Sequence, residues 1–349
     1  MIEIIITDPL SRKTFDLYNY FIHCADEYKI TVIGPKEKLW KLFYSKARCL
    51  MYSRNNISDV LMELNSHSQN AVLLPVEEST IEILYKNKDS WSNLHAVIPS
   101  EKDFELLRNK KKLAEYCENN NISVPLSLSN GIKLSFDAIV KPIVGSGSRG
   151  IRRVAKDGKL QFNPNVELAQ EIIPTNSSLE GFFGLVVSGK ILTWHTHKRL
   201  RTWPRQGGVS LHSVSGMNKD LFNHAQLLLG QLNYSGLVMI EYMRDSRDNS
   251  YKLIEVNPRT WGSIMLSEHS GVPIIKNYVN TCLKKPLLQS RFEAKEIRWI
   301  FPFDVLQIKP ILRVLFNRSN KTFFIGFTNS SILKSIFFVI FIAYNKLRK

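Results

Sequence analysis

Cysteine is scarce here and nowhere paired. The 349 residues hold 4 cysteines, Cys24, Cys49, Cys117 and Cys282, with no CxxC among them. That argues against a structural zinc site or a disulfide framework and suits a reducing compartment. A long uncharged apolar run is missing too. The most apolar stretch, "ILKSIFFVIFIAY" (332–344), is interrupted by Lys334 and falls short of the ~20 residues a spanning helix needs. The opening residues, "MIEIIITDPL", place Glu3 and Asp8 around a short apolar run. They lack the basic start and apolar core of a signal peptide and read as a first strand. No internal repeat, low-complexity tract, helix-turn-helix, zinc-finger or RNP-type signature occurs.

What is present is an ordinary globular composition, 44% hydrophobic and 22% charged, which excludes a disordered chain. The length is large for one core and implies two or three domains. A net charge of +16 can serve nucleic acid, a membrane surface or an anionic substrate. Much of it lies towards the carboxy terminus, where Arg291, Arg298, Lys309, Arg313, Arg318, Lys321, Lys334, Lys346, Arg348 and Lys349 face few acids. Without a matching signature, a nucleic-acid partner is not expected.

Along the first hundred residues, short apolar runs alternate with helix-length segments: "IEIIIT" (2–7), "KITVIGP" (29–35) and "AVLLPVEEST" (71–80). This is the texture of βαβ units and a parallel sheet. "HAVIPSEKDFELLRNKKKLAEYCENNNISVP" then runs from a strand into a helix ending near Asn121. From residue 137 to about Lys285 paired strands with tight turns appear, and Ser188-Gly189 in "GLVVSGKILTWH" has hairpin character. The expected domains are 1–105, 106–285 and a basic, aromatic extension, 286–349.

Chemistry concentrates in four places. In "KPIVGSGSRG", Lys141 ends a strand and is followed by Gly145, Gly147 and Gly150, which let backbone amides approach an anion. No Gly-Lys-Ser/Thr follows, so it is not a Walker A loop. A plain turn is the competing reading. In "GLVMIEYM", Glu241 interrupts an apolar strand. In "YKLIEVNPRTWGSI", alternation projects Glu255 and Asn257 from one face and Ile254 and Val256 from the other. A carboxylate facing an interior is costly unless a positive group meets it. Two carboxylates and an amide oxygen are hard ligands suited to Mg²⁺ carried with phosphates. An edge strand with Arg244 or Arg259 pairing the acids would be the bland alternative. Finally, "WHTHKRLRTWPRQGGVS" (194–210) sets Lys198 on one face and Arg199 and Arg201 on the other, either as a solvated face or as an anion pocket. His195 and His197 show no metal-ligand spacing and read as core or surface residues.

The order and spacing of these motifs resemble the ATP-grasp superfamily, most nearly its carbamoyl-phosphate-synthase-like ligases, some of which occur in cell-surface polysaccharide pathways. The resemblance covers roughly residues 1–285, and "EVNPRTWGS" and "KPIVGSGSRGI" carry it. It implies an α/β chain: a Rossmann-like amino-terminal domain, a two-subdomain ATP-grasp fold and a basic extension. It implies ATP and Mg²⁺ (or Mn²⁺) as cofactors. Lys110, with Lys111 and Lys112 leaving the register open, and Lys141 resemble the phosphate lysines. Gly145, Ser146, Gly147, Ser148 and Gly150 resemble the loop that closes on the triphosphate. Glu171, Ile172 and Ile173 resemble the adenine-binding hinge, with Glu180 a candidate for the ribose. Glu241, Glu255 and Asn257 look like the metal ligands, and Arg259 like the arginine at the transferring phosphoryl group. Arg199 is a candidate for the substrate anion. The implied activity is carboxylate activation by ATP followed by attack of an amine, with a small-molecule kinase or a non-catalytic nucleotide or nucleic-acid binder as alternatives. No biotin-attachment or glutaminase region is visible. The apolar tail reads either as a helix covering the core or as an interfacial membrane anchor, the latter giving a cytoplasmic protein a place at the membrane face.

Overall fold

The computed structural model describes residues 1–24, 26–36, 39–52, 57–68, 70–86, 91–145, 149–203, 208–298, 322–324, 337–338, 340–342 and 344. Of the site candidates, Ser146, Gly147 and Ser148 lie outside the described residues, as does most of the apolar run at 332–344. The chain divides into two compact units, Met1–Ile98 with Arg259–Lys349, and Pro99–Pro258. The divisions therefore fall at 98/99 and 258/259, whereas the sequence reading places them at 105/106 and 285/286.

The first unit begins with the parallel sheet expected from the apolar runs. Its strands are β1 (Ile2–Ile6), β2 (Tyr28–Pro35), β3 (Arg48–Tyr52), β4 (Ala71–Leu74) and β5 (Leu94–His95), in the order β3-β2-β1-β4-β5. Helices α1 (Arg12–Ile22), α2 (Ile57–His67) and α3 (Glu78–Lys86) connect them. Ile4, Ile5 and Ile6 are fully buried, as an inner strand covered on both faces requires. The strand that the sequence hides is β3, "RCLMY", an edge strand with no long apolar run to announce it.

In the second unit, α4 (Glu101–Arg108) and α5 (Lys110–Asn119) replace the single helix read from sequence. Asn109 adopts an extended backbone (φ −91°, ψ 104°) and its side chain accepts from the amides of Lys111 and Lys112, an N-cap that starts a new helix at Lys110. Two antiparallel sheets follow. The small one, β6 (Ala138–Pro142), β7 (Arg152–Val154) and β8 (Glu167–Glu171), runs β7-β6-β8. The large one is built from β9 (Glu180–Val187), β10 (Lys190–Trp203), β11 (Val209–Gly216), β12 (Gly236–Arg244) and β13 (Tyr251–Asn257), in the order β13-β12-β9-β10-β11. Ser188 and Gly189 join β9 to β10 with φ of 47° and 73°, the positive pair a two-residue hairpin turn demands.

One face of the large sheet presents Phe182, Val186, Val238, Ile240, Tyr242, Leu253 and Val256 to helix α6 (Lys219–Gln231), which answers with Leu221, Ala225 and Leu228. The opposite face is thereby left for chemistry. The chain then returns to the first unit as α7 (Ile264–His269), α8 (Ile274–Cys282) and the parallel pair β14 (Glu296–Arg298) and β15 (Thr322–Phe324). The mixed α/β architecture agrees with the sequence reading.

Candidate active site

A cavity of about 220 Å³ opens in the second unit, bounded by the small sheet, the face of the large sheet away from α6, and the start of α5. Lys110, Lys141, Arg149, Arg153 and Arg199 bring positive charge to it, and Glu171, Glu241 and Glu255 negative charge. Ile139, Ile151, Ile173, Leu179, Met243 and Ile254 supply apolar walls.

The two central acids meet because β12 and β13 pair antiparallel with Glu241 directly opposite Glu255. Such like-charge neighbours weaken a sheet unless cations lie beside them. Here they do. Arg199 donates to Glu241 Oε1, and Lys110 Nζ stands 3.8 Å from Glu255 Oε2. Asn257 Nδ2 donates to Glu255 Oε1 at 3.0 Å, so these two side chains do share a face. Ile254 departs from the expected alternation. The register passes from Glu241↔Glu255 to Tyr242↔Leu253, leaving Ile254 as an extra residue. This β-bulge changes parity, so Leu253 joins Val256 in the core while Ile254 lines the cavity beside Glu255.

The capped start of α5 separates the neighbouring lysines, and Lys110 is the one that lines the cavity. Lys110 is buried and donates to Gly145 O at 2.5 Å, whereas Lys111 reaches Pro164 O. Lys141, also buried, lies 3.4 Å from Ile254 O. Its pKa is pushed down to about 8, first by burial and then by the Lys110 charge, with Glu255 and Glu241 opposing. Gly145 and Gly150 have φ of 137° and 72°, and a Cβ on Gly150 would strike Pro142 at 2.9 Å, so this loop does need glycine.

At the end of β8, Glu171 bonds two other segments of the chain. It accepts from the Leu126 amide at 3.1 Å and pairs with Arg247 at 2.8 Å. Arg247 also clasps Asp245, and Ser246 N donates to Pro174 O at 2.8 Å. The hairpin after β12 thus braces the segment 171–174. Ile172 and Ile173 line the cavity next to Gln170.

Glu180 lies on the other face of the large sheet, and Arg259 is counted with the other unit. Glu180 does not reach the cavity: it shares the parity of Phe182 and Val186, and its carboxylate lies 3.5 Å from Asn218 Nδ2, the cap of α6. Strand parity, invisible in the motif, puts it on the helix side of the sheet. Arg259 belongs to the first unit, where it donates to Glu78 Oε1 at 3.3 Å and to Thr260 O at 2.8 Å. Arg201 also parts from Arg199, because a second register shift falls between them. His195 and His197 are buried against Phe183, with ring centroids 5.1 and 4.0 Å away. Burial lowers the His195 pKa to about 3, so both serve the interior as neutral rings. The residues that sequence reasoning missed are Arg149, Arg153, Met243 and Arg247. Only the stretch 151–153 carried a signal, since Ile151 and Arg153, two apart, both line the cavity.

Residues 107–263 match the family of the ATP-grasp domain. No curated protein matches the chain. Among solved structures, the chain is similar to N5-carboxyaminoimidazole synthetase from Staphylococcus aureus, at 13% identity and TM-score 0.65, over 90% of this chain and 86% of that one. It is also similar to N5-carboxyaminoimidazole ribonucleotide synthetase from Thermotoga maritima (14%, TM-score 0.58, 84% and 78% covered). The biotin carboxylase domain of the Hydrogenobacter thermophilus 2-oxoglutarate carboxylase is a third neighbour (12%, TM-score 0.64, 84% and 73%). Residues 107–263 are an ATP-grasp domain.

Proposed function

We propose that this chain is an ATP- and Mg²⁺-dependent ligase that activates a carboxylate as an acyl phosphate and joins it to an amine through a C–N bond. The observation that carries the reading is the Glu241–Glu255 pair, facing each other across two strands in a cavity that also holds Lys110, Lys141 and Arg199. Two carboxylates and the Asn257 amide suit Mg²⁺, which keeps water and substrate phosphate oxygens in its shell. The metal, when bound, neutralises triphosphate charge.

The chain's own residues do the remaining work, which for phosphoryl transfer is mainly positioning and charge. Lys110 and Lys141 hold phosphate oxygens. The loop containing Gly145, Ser146, Gly147, Ser148 and Gly150 shields the acyl phosphate from water. The backbone of Glu171, Ile172 and Ile173, with the apolar walls of Met243 and Ile254, takes the adenine. Arg199 orients the substrate anion, and Arg259 is the arginine that the resemblance implies at the transferring phosphoryl group. A carboxylate oxygen attacks the γ-phosphorus and ADP leaves; the amine nitrogen then attacks the acyl carbon, phosphate leaves, and the nitrogen loses a proton. The neighbours determined with ADP, and in one case bicarbonate, support such a reaction. A role in cell-surface polysaccharide biosynthesis is the setting the resemblance favours.

Release of ADP and phosphate, screened over amino acids, sugar acids and amines, tests the proposal. Release that requires an acid and an amine together is expected. A stable phosphorylated product from one co-substrate would make the chain a kinase. Nucleic-acid binding that falls steeply with salt, with no turnover, would make it a binder.

A further inference from the structure

The first unit carries an apolar surface that ligation does not use. A 3-10 turn at Leu39–Phe43 buries Trp40 completely, yet Leu39 and Leu42 are 64% and 66% exposed. In a 3-10 turn residues three apart eclipse one another, so both leucines stand on one side. Beside this turn lie helical residues 337, 338 and 340–342. Phe338 is buried there, stacked on Phe15 at 4.2 Å and edge-on to Phe43 at 5.0 Å, and Phe341 also meets Phe43. One side of the segment is therefore docked. Phe337, Ile340 and Tyr344, at helical spacing on another side, are 61%, 46% and 50% exposed.

Exposed large apolar groups gathered on adjoining elements mark an interaction surface. Its charge identifies the partner. Lys36, Lys41, Lys46 and Arg48 are exposed in and around the same turn. After Asp304 the sequence contains no acid at all, while Lys309, Arg313, Arg318, Lys321, Lys334, Lys346, Arg348 and Lys349 follow. A second copy of this chain would bring like charges together. An anionic bilayer offers both an apolar boundary for leucine and aromatic rings and negative headgroups for lysine. No helix among the described residues is long and apolar enough to cross a membrane.

We infer that the 3-10 turn at 39–43 and the helical residues Phe337, Ile340 and Tyr344 form a docking surface for an anionic lipid bilayer. The test is sedimentation of the full chain with phosphatidylcholine vesicles, with and without phosphatidylglycerol, at rising salt. Binding is expected only with the anionic lipid and should weaken with salt. The double variant Leu39→Ser, Leu42→Ser should lower vesicle affinity by roughly tenfold or more. Its thermal midpoint and ATP turnover should stay at wild-type levels, because both side chains already face solvent. A second variant, Phe337→Ser with Ile340→Ser, should act in the same direction. Three results would overturn the proposal: no vesicle binding by wild type, binding that neither variant weakens, or self-association without lipid that the variants abolish.

Discussion

Each unit contains a buried lysine whose pKa is lowered to about 8, yet the two sit in different company. In the first unit Lys13 is lowered by burial and by Arg259, and it donates to Glu77 at 2.9 Å and to Val76 O at 3.0 Å. Around it Asp8 accepts from the Glu77 amide and from Thr80, and Glu78 from Arg259. In the second unit Lys141 is lowered by burial and by Lys110, but its nearest acceptor is a carbonyl at 3.4 Å. Five basic side chains and three carboxylates line the cavity it shares. The first network matches acid to base by direct bonds and so holds a fold. The second keeps surplus positive charge beside two opposed carboxylates, the arrangement that the proposed ATP and Mg²⁺ would call for.

The sharpest way to break this contrast is to change one group in each cluster and compare activity with stability. Glu255→Gln should reduce ATP turnover by about 10³-fold or more, the scale of losing a charge-stabilising group at the reacting centre. It also relieves the repulsion between Glu241 and Glu255, so the thermal midpoint should hold or rise. Lys13→Met should do the opposite. It takes a buried donor from the Glu77 carboxylate and one of two from the Val76 carbonyl, which keeps Thr260, and a loss of about 1–3 kcal/mol in a denaturant titration is expected. If Glu255→Gln unfolds the protein while Lys13→Met is silent, the roles assigned to the clusters are reversed.

How much of this was legible in the sequence depended on whether a contact is local. The apolar runs of β1, β2 and β4 announced a parallel sheet, and Ser188-Gly189 announced its own turn. Glu255 and Asn257 were readable because parity holds over two residues. Ile254 was not, since a bulge is decided by how β13 pairs with β12. The side on which Glu180 lies was not legible for the same reason: its face is fixed by a sheet that no motif describes. Lys110 was in principle legible, because Asn109 followed by two amides is a cap, and a cap sets the first residue of a helix. Arg247 was beyond reach, as its partner Glu171 lies on a different sheet and neither residue has a spacing that points to the other.

A smaller effect separates the two lysines by pH. Burial and Lys110 push the Lys141 pKa down to about 8, against an ordinary value of 10.5, and in the proposed role only the charged form holds phosphate. Apparent affinity for ATP should therefore fall as pH rises above 8, by up to about tenfold per unit, and nucleotide binding near pH 8 should take up a proton. Calorimetry in buffers of different ionisation enthalpy reads that uptake. Lys141→Arg stays charged and should flatten the profile. Stability runs the other way: between about 8 and 10.5 the unfolded chain binds the proton that the folded one does not, so the unliganded protein gains stability with rising pH. Lys13, with the same lowered value, adds to that stability trend. Lys13→Arg should leave the affinity profile untouched, and a flattened affinity profile in that variant would place Lys13 at the nucleotide.

The smallest effect belongs to Arg247, which ties Glu171, in the proposed hinge, to the hairpin after β12. Its guanidinium is half exposed and bonds Glu171 at 2.8 Å and Asp245 at 2.6 Å. Ion pairs this open to solvent contribute about 0.2–1 kcal/mol. Glu171 would also remain anchored by the Leu126 amide, and Pro174 by Ser246. Arg247→Ala should therefore raise KM for ATP by only about two- to fivefold, with kcat and the thermal midpoint nearly unchanged. That split distinguishes a positioning residue on the adenine side from a group in the chemistry. A fall in kcat at constant KM would move Glu171 out of the hinge role and into the reacting cluster with Glu241 and Glu255.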